Sequence, residues 1–304
     1  MARLRKRDGR QAQSLPDRIT SPNHVLKQWT QIPGWQQDNE YILSGYRPQT
    51  ESFIRCIKSL AYIHNETVNI YSHLFGAAFF SILPAYLYTA LLTPDEMKVT
   101  RADIIVFSTF FYGVAICFLL SSTYHIISNH SPNVQKFGNQ LDYLGIVILM
   151  WGSTIPSIYY GFHCDPRLQR VYWFNVSVLA SLCIIATLHP NFRHPTFRPY
   201  RAAMYAGLGL SAVIFVIHGI LLHGWSLQNQ RMSLDWMALM ATFNLVGATV
   251  YAARIPEKLC PYRYDIFGSS HQILHVAVVL AGVAHMVGLF RAFQFHHTQG
   301  SLCR

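Results

Sequence analysis

The sequence predicts an all-α membrane protein, a seven-transmembrane helix bundle with a cytosolic N-terminus and a short interfacial helix before the first span. Three observations carry this. Seven runs contain no Asp, Glu, Lys or Arg, and each approaches or exceeds the roughly 20 residues that cross a hydrocarbon core. The 304 residues are 51% hydrophobic and only 12% charged, too apolar for a soluble domain of this length. The basic residues behind the net charge of +10 gather in the tail and in alternate loops instead of along one helix face. Membrane topology explains that distribution, and a nucleic-acid partner is not implied.

Residues 1–50 form a basic cytosolic N-terminal segment, with Arg3, Arg5, Lys6, Arg7 and Arg10 at its start. Such a composition buries no core, so the segment is expected to be largely mobile and suited to an anionic lipid surface. Residues 1–27 lack an apolar run and do not read as a signal peptide. The seven-transmembrane domain occupies residues 51–291. It opens at Ser52–Tyr62, where Phe53, Ile54, Ile57 and Leu60 recur at helical spacing opposite Arg55 and Lys58. That is the pattern of an amphipathic helix lying in the interface.

The spans follow as Ile70–Leu92, Ile104–Tyr124, Tyr143–Cys164, Val171–His189, Ala202–Leu222, Trp236–Ala253 and Ile266–Phe290. Turn formers punctuate them, among them Thr93-Pro94-Asp95, Asp165-Pro166 and Pro256-Glu257. Pro84 and Pro156 lie inside spans and predict kinks. Residues 292–304 form a short non-cytosolic tail. Seven crossings place the termini on opposite sides. Most of the 24 Lys and Arg fall on the side of the N-terminus, which the positive-inside rule makes cytosolic. The six cysteines are scattered without a Cys-x-x-Cys pair. Free thiols are expected, with a Cys164–Cys303 bridge open only if both residues lie outside.

This topology brings polar residues to one depth. The second span ends Ser121-Ser122-Thr123-Tyr124-His125, the third begins Gln140-Leu141-Asp142, and the seventh begins with His271 and His275. The i, i+4 spacing puts His271 above His275, and Ser121 above His125, on shared helix faces. A single imidazole there reads as an interfacial or backbone-bonded histidine, and Asp142 alone as a helix-end charge. Together at one boundary they read as a metal site. Zinc takes nitrogen ligands, and a catalytic site commonly has three protein ligands. His125, His271 and His275 supply three, Asp142 is placed to accept a proton from water, and Ser121 to hydrogen-bond water or a carbonyl. Glu66 and His73, in the run His64 to His73, are candidates for supporting this site, although capping by Asn65 and Glu66 is the simpler reading. Asn65-Glu66-Thr67 is also a glycosylation sequon, silent on a cytosolic face. No role is assigned to the other histidines, which include His163, His296 and His297.

At these residues the chain resembles the progestin and adipoQ receptor family, also called hemolysin III-related, and within it the adiponectin-receptor branch and its fungal members. The resemblance runs from about Gln37 to about Phe290. It rests on Asn65-Glu66-Thr67-Val68-Asn69-Ile70-Tyr71-Ser72-His73, Ser121 with His125, Leu141-Asp142-Tyr143-Leu144-Gly145-Ile146, Tyr251-Ala252-Ala253-Arg254-Ile255-Pro256-Glu257, and Ser270-His271-Gln272-Ile273-Leu274-His275. It implies seven helices with a cytosolic N-terminus and a Zn2+ held at His125, His271 and His275. It places Asp142 and Ser121 beside the ion, and it implies receptor signalling or hydrolysis of the ceramide amide. Its fungal members imply a link to zinc and lipid homeostasis.

The expected function is therefore a zinc-containing membrane receptor or hydrolase that takes a ceramide-like lipid, in the plasma membrane or the endoplasmic reticulum. An extracellular protein or lipid ligand is a further expected partner. The alternative is a ligand-binding receptor whose zinc is purely structural. Classical G-protein coupling is disfavoured, since no Asp/Glu-Arg-Tyr ends the third span and no Asn-Pro-x-x-Tyr lies in the seventh. A zinc transporter is disfavoured too, because ligands clustered at one boundary do not draw a pathway through the spans. The sequence does not set the oligomeric state.

Overall fold

The computed structural model describes residues 26–91, 99–190, 195–298 and 303. Arg3 to Arg10, the turn Thr93-Pro94-Asp95 and Arg193 lie outside the described residues. The described residues form eight α-helices: α1 (Phe53–Lys58), α2 (Thr67–Leu91), α3 (Arg101–Ile127), α4 (Pro132–Gly161), α5 (Pro166–Leu188), α6 (Arg198–Met232), α7 (Leu234–Ala253) and α8 (Ser270–Thr298). The seven from α2 to α8 are long and apolar enough to cross a membrane. Together they make an all-helical, integral membrane bundle.

Local chemistry sets several helix starts. Thr100 and Asp103 form a reciprocal capping box at α3, with the Thr100 amide donating to Asp103 Oδ2 at 2.9 Å and the Asp103 amide to Thr100 Oγ1 at 3.2 Å. Pro132 and Pro166 stand in the first turns of α4 and α5, where a missing N–H costs nothing. The short helix α1 keeps Cys56 inward and leaves Phe53, Ile54 and Ile57 exposed, an apolar outer face.

Burial grades across the bundle. In α3, 56% of the span is buried, against 6% in α7, so α3 is the central helix and α7 faces outward. Phe80, Phe110, Phe111 and Phe118 pack their rings at the centre. Phe174, Leu221 and Leu245 project outward, as lipid-facing side chains do. Where α3 meets α4 the backbones nearly touch. A Cβ on Gly145 would lie 2.9 Å from the Cα of Cys117, and one on Gly152 would strike the carbonyl of Thr109. Small residues allow such approach between membrane helices. Gly145→Val is expected to cost about 1–3 kcal/mol, seen as a lower thermal unfolding midpoint in detergent, and an unchanged midpoint would count against this packing.

Several expectations change, and α4 begins at Pro132, eleven residues before the expected Tyr143. The sixth of the eight helices continues ten residues past Leu222 to Met232, turning at Gly224, whose φ of +77° suits a residue without a side chain. The last helix passes Phe290 and reaches Thr298. Arg291 there reaches outward to Asp235 at 3.2 Å and lies over the Trp236 ring, so its charge does not end the span. Free thiols at Cys164 and Cys303 are overturned. The two form a disulfide, with Cα atoms 5.1 Å apart, because the turn after α4 and the chain after α8 meet at one end of the bundle. Cys56, Cys117, Cys183 and Cys260 are free.

Residues 26–50, expected to share the mobility of the tail, are instead seated on the bundle. Lys27 pairs with Tyr46, Ile32 and Asn39 are buried, and Arg47 is 3% exposed. Arg47 explains the seating. Its guanidinium donates to the carbonyls of His125 (2.5 Å) and Ile126 (2.9 Å) and to Ser59 Oγ (2.8 Å), satisfying the C-terminal end of α3.

Candidate metal centre

The last turn of α3 and the first two turns of α8 bring His125, His271 and His275 together. One ring nitrogen from each lies within 4.8 Å of the others. The ring centroids stand 5.1 Å (His125 to His271), 4.8 Å (His125 to His275) and 4.9 Å (His271 to His275) apart. Neighbours fix two of these rings. Nδ1 of His125 is 2.7 Å from Glu66 Oε2, and its buried Nε2 has no partner. Nδ1 of His275 is 3.1 Å from the carbonyl of Asn69. Each Nδ1 therefore donates its proton, which leaves Nε2 bare. That is the tautomer a metal needs, and a carboxylate on the far nitrogen is the usual support for a ligating histidine. Donor type and the orphaned Nε2 thus both fit a zinc ion.

The segment before α2 is the frame of this centre. Asn69 Nδ2 donates to Glu66 Oε2 at 2.7 Å, while the Glu66 amide donates to His64 Nδ1 at 3.1 Å. Gln272 reaches from α8 to the Asn65 carbonyl at 3.0 Å and accepts from the Gly268 amide at 2.6 Å. Glu257, 1% exposed, holds the start of α8 by accepting from the Ser270 amide (2.8 Å) and hydroxyl and from Asn39 Nδ2 (3.0 Å). Burial, then the nearby Arg47, pushes the His64 imidazole down to about 3, so His64 is neutral and free to accept.

Ser121 is buried one turn before His125, and Asp142, about three turns into α4, lies against Ser121 within electrostatic reach of His125. Asp142 is half-buried and is not one of the three converging donors. Its place is beside the histidines. The sequence left Glu66 between a helix cap, the simpler reading, and a support for the site; in the structure it grips His125. The clue was its nearness to Asn69 and His73 in one polar run at the head of a span. Arg47, Asn39 and Glu257 carried no such clue, since loop packing alone brings them here. His73 stacks on His275 at 3.9 Å and on Phe118 at 4.6 Å, with neither ring nitrogen partnered. If zinc is held here, Glu66→Gln should weaken its retention by about 10–100-fold in competition with a zinc-indicator dye. Equal affinity would remove Glu66 from the centre.

Residues 61–286 match the family described as Haemolysin-III related. The chain is 37% identical over 302 residues to the ADIPOR-like receptor IZH2 of Saccharomyces cerevisiae, covering 97% of this chain and 93% of that protein. It is 36% identical over 279 residues to the adiponectin receptor protein of Drosophila melanogaster, covering 92% of this chain and 62% of that protein. It is 41% identical over 265 residues to the progestin and adipoQ receptor-like protein 1 of Caenorhabditis elegans, covering 87% and 60%. The chain thus spans less than two thirds of the two animal relatives.

Proposed function

The chain belongs to the haemolysin-III-related family as an adiponectin-receptor-like seven-helix membrane protein, and from there we propose that it is a zinc-dependent amide hydrolase acting on ceramide-type lipids. One observation carries this reading: three imidazoles converge, two with Nδ1 tied off, beside a carboxylate and a serine at the same depth. His125, His271 and His275 would hold the ion. Zinc, when bound, supplies Lewis acidity toward an acyl carbonyl and acidifies water near neutral pH.

The chain's own residues do the rest. Asp142 accepts the proton of the attacking water, whose oxygen bonds to the carbonyl carbon. Asp142 then returns that proton to the amide nitrogen as the carbon–nitrogen bond breaks, leaving a fatty acid and a sphingoid amine. Ser121 orients the carbonyl or the water through its hydroxyl. A ceramide amide lies just under the headgroups, and a centre at one end of the bundle suits that depth.

We place the N-terminus in the cytosol and the protein in the plasma membrane or the endoplasmic reticulum. Two independent features support that orientation: the basic residues of the tail and alternate loops, and a disulfide at the far end, where an oxidising compartment preserves it. The assay is fatty-acid release from a short-chain ceramide by purified protein, with and without chelator, beside His271→Ala. Turnover lost in both arms is the expected result; chelator-insensitive turnover, or none from folded protein, overturns it.

A receptor with a purely structural ion is the second reading. It is favoured by the His73 ring, which stacks on both His275 and Phe118 and knits the centre into the core. Under it, histidine variants lose stability, and Asp142 variants keep signalling.

A further inference from the structure

At the end of the bundle opposite the histidine triad, the turn after α4 meets the ends of α6 and α8. Arg231 is 5% exposed there and, among the described residues, has no carboxylate in ion-pair range. Its Nη2 donates to Cys164 Sγ at 3.3 Å, and its Nη1 is buried without a partner. Beside it, Nδ1 of His163 is likewise buried and unpartnered, and the His163 ring stands 3.7 Å from that of His296. With Tyr160, Ala292 and Phe295 these residues line a small cavity, partly open at its mouth.

The nearby acids are already engaged. Asp103 accepts from Tyr160 (2.8 Å), from the Thr100 amide (2.9 Å) and hydroxyl (2.6 Å), and from His297 (3.0 Å). Asp165 pairs with His223 at 3.1 Å. A buried guanidinium with an idle N–H is costly unless an anion compensates it. Two imidazoles in contact suggest a cation site at first sight, but a guanidinium lining the same cavity repels a metal. Burial, opposed by Asp103 and aided by Arg231, keeps the His163 imidazole below its ordinary value, so its ring is neutral and carries one N–H. An idle guanidinium N–H beside the imidazoles of His163 and His296 suits an anion with several acceptor oxygens.

We propose that His163, Arg231 and His296 form a binding site for a phosphate-type oxyanion, at the opposite end of the bundle from the metal centre. The Cys164–Cys303 disulfide anchors the residue next to His163 and so holds the turn in place. Free phosphate and a phospholipid headgroup present the same chemistry.

Full-length protein in neutral detergent should bind inorganic phosphate saturably in a calorimetric titration at constant ionic strength. Binding should persist after chelator treatment, which separates it from phosphate held by a metal at the triad. Arg231→Gln and His296→Gln should each weaken it on the order of tenfold or more. A parallel arm compares thermal midpoints in nanodiscs of phosphatidylcholine alone and with phosphatidylglycerol. A stabilisation by phosphatidylglycerol that both variants lose, without binding of free phosphate, assigns the site to a lipid headgroup. Should Arg231→Gln fail to fold, His163→Gln and His296→Gln carry the test, both being partly exposed. No saturable binding in either arm, or equal binding by the variants, overturns the proposal.

Discussion

His271→Ala is expected to strip the protein of zinc. Metal analysis should find about one zinc per chain in the wild type and close to none in the variant. A full set of protein ligands binds structural zinc with roughly 10–16 kcal/mol. One ligand's share is several kcal/mol, a loss of on the order of a hundredfold or more in affinity. His125→Ala and His275→Ala should behave alike, because the three rings converge from two helices and no pair encloses the site. His223→Ala, at the other end of the bundle beside Asp165, is the control and should keep its zinc. Stoichiometric zinc in His271→Ala would mean that the triad is not the centre.

The second large effect is on turnover. If Asp142 moves the proton, Asp142→Asn should lower kcat by about 10²–10⁴-fold, the usual reach of a general base, while zinc content stays at the wild-type level. Asp142 stands beside the imidazoles without being one of the converging donors, so the two readouts separate. Ser121→Ala should cost less, since it orients and carries no proton. A variant that loses zinc together with activity would make Asp142 a structural support, and the receptor reading would then gain.

The seven crossings were legible because each is written as a charge-free run, and the position of His271 above His275 because four residues are one helical turn. Their meeting with His125 followed from topology, which brings the end of one span and the start of another to one depth. The supports were less legible. Glu66 grips His125 across 59 residues of chain, and Arg47 reaches the carbonyl of that same histidine from a segment whose composition resembles a loose tail. Neither contact has a period or a spacing to announce it. The continuation of α8 past Phe290 was hidden for another reason: Arg291 breaks an apolar run in one dimension but bends its charge outward in three. The disulfide depended on where the chain after α8 ends up, which no local pattern encodes.

Contact between backbones at Gly145 and Gly152 makes α3 and α4 travel as one body. The α7–α8 pair is a second such body, joined where Gly247 meets Ala277 and Leu274. His125 belongs to the first and His271 and His275 to the second, so an ion held by all three would be a further tether between two halves already joined through the head of α2. Whatever pries the halves apart would loosen the ion, and by reciprocity the ion's presence would set how tightly that agent binds.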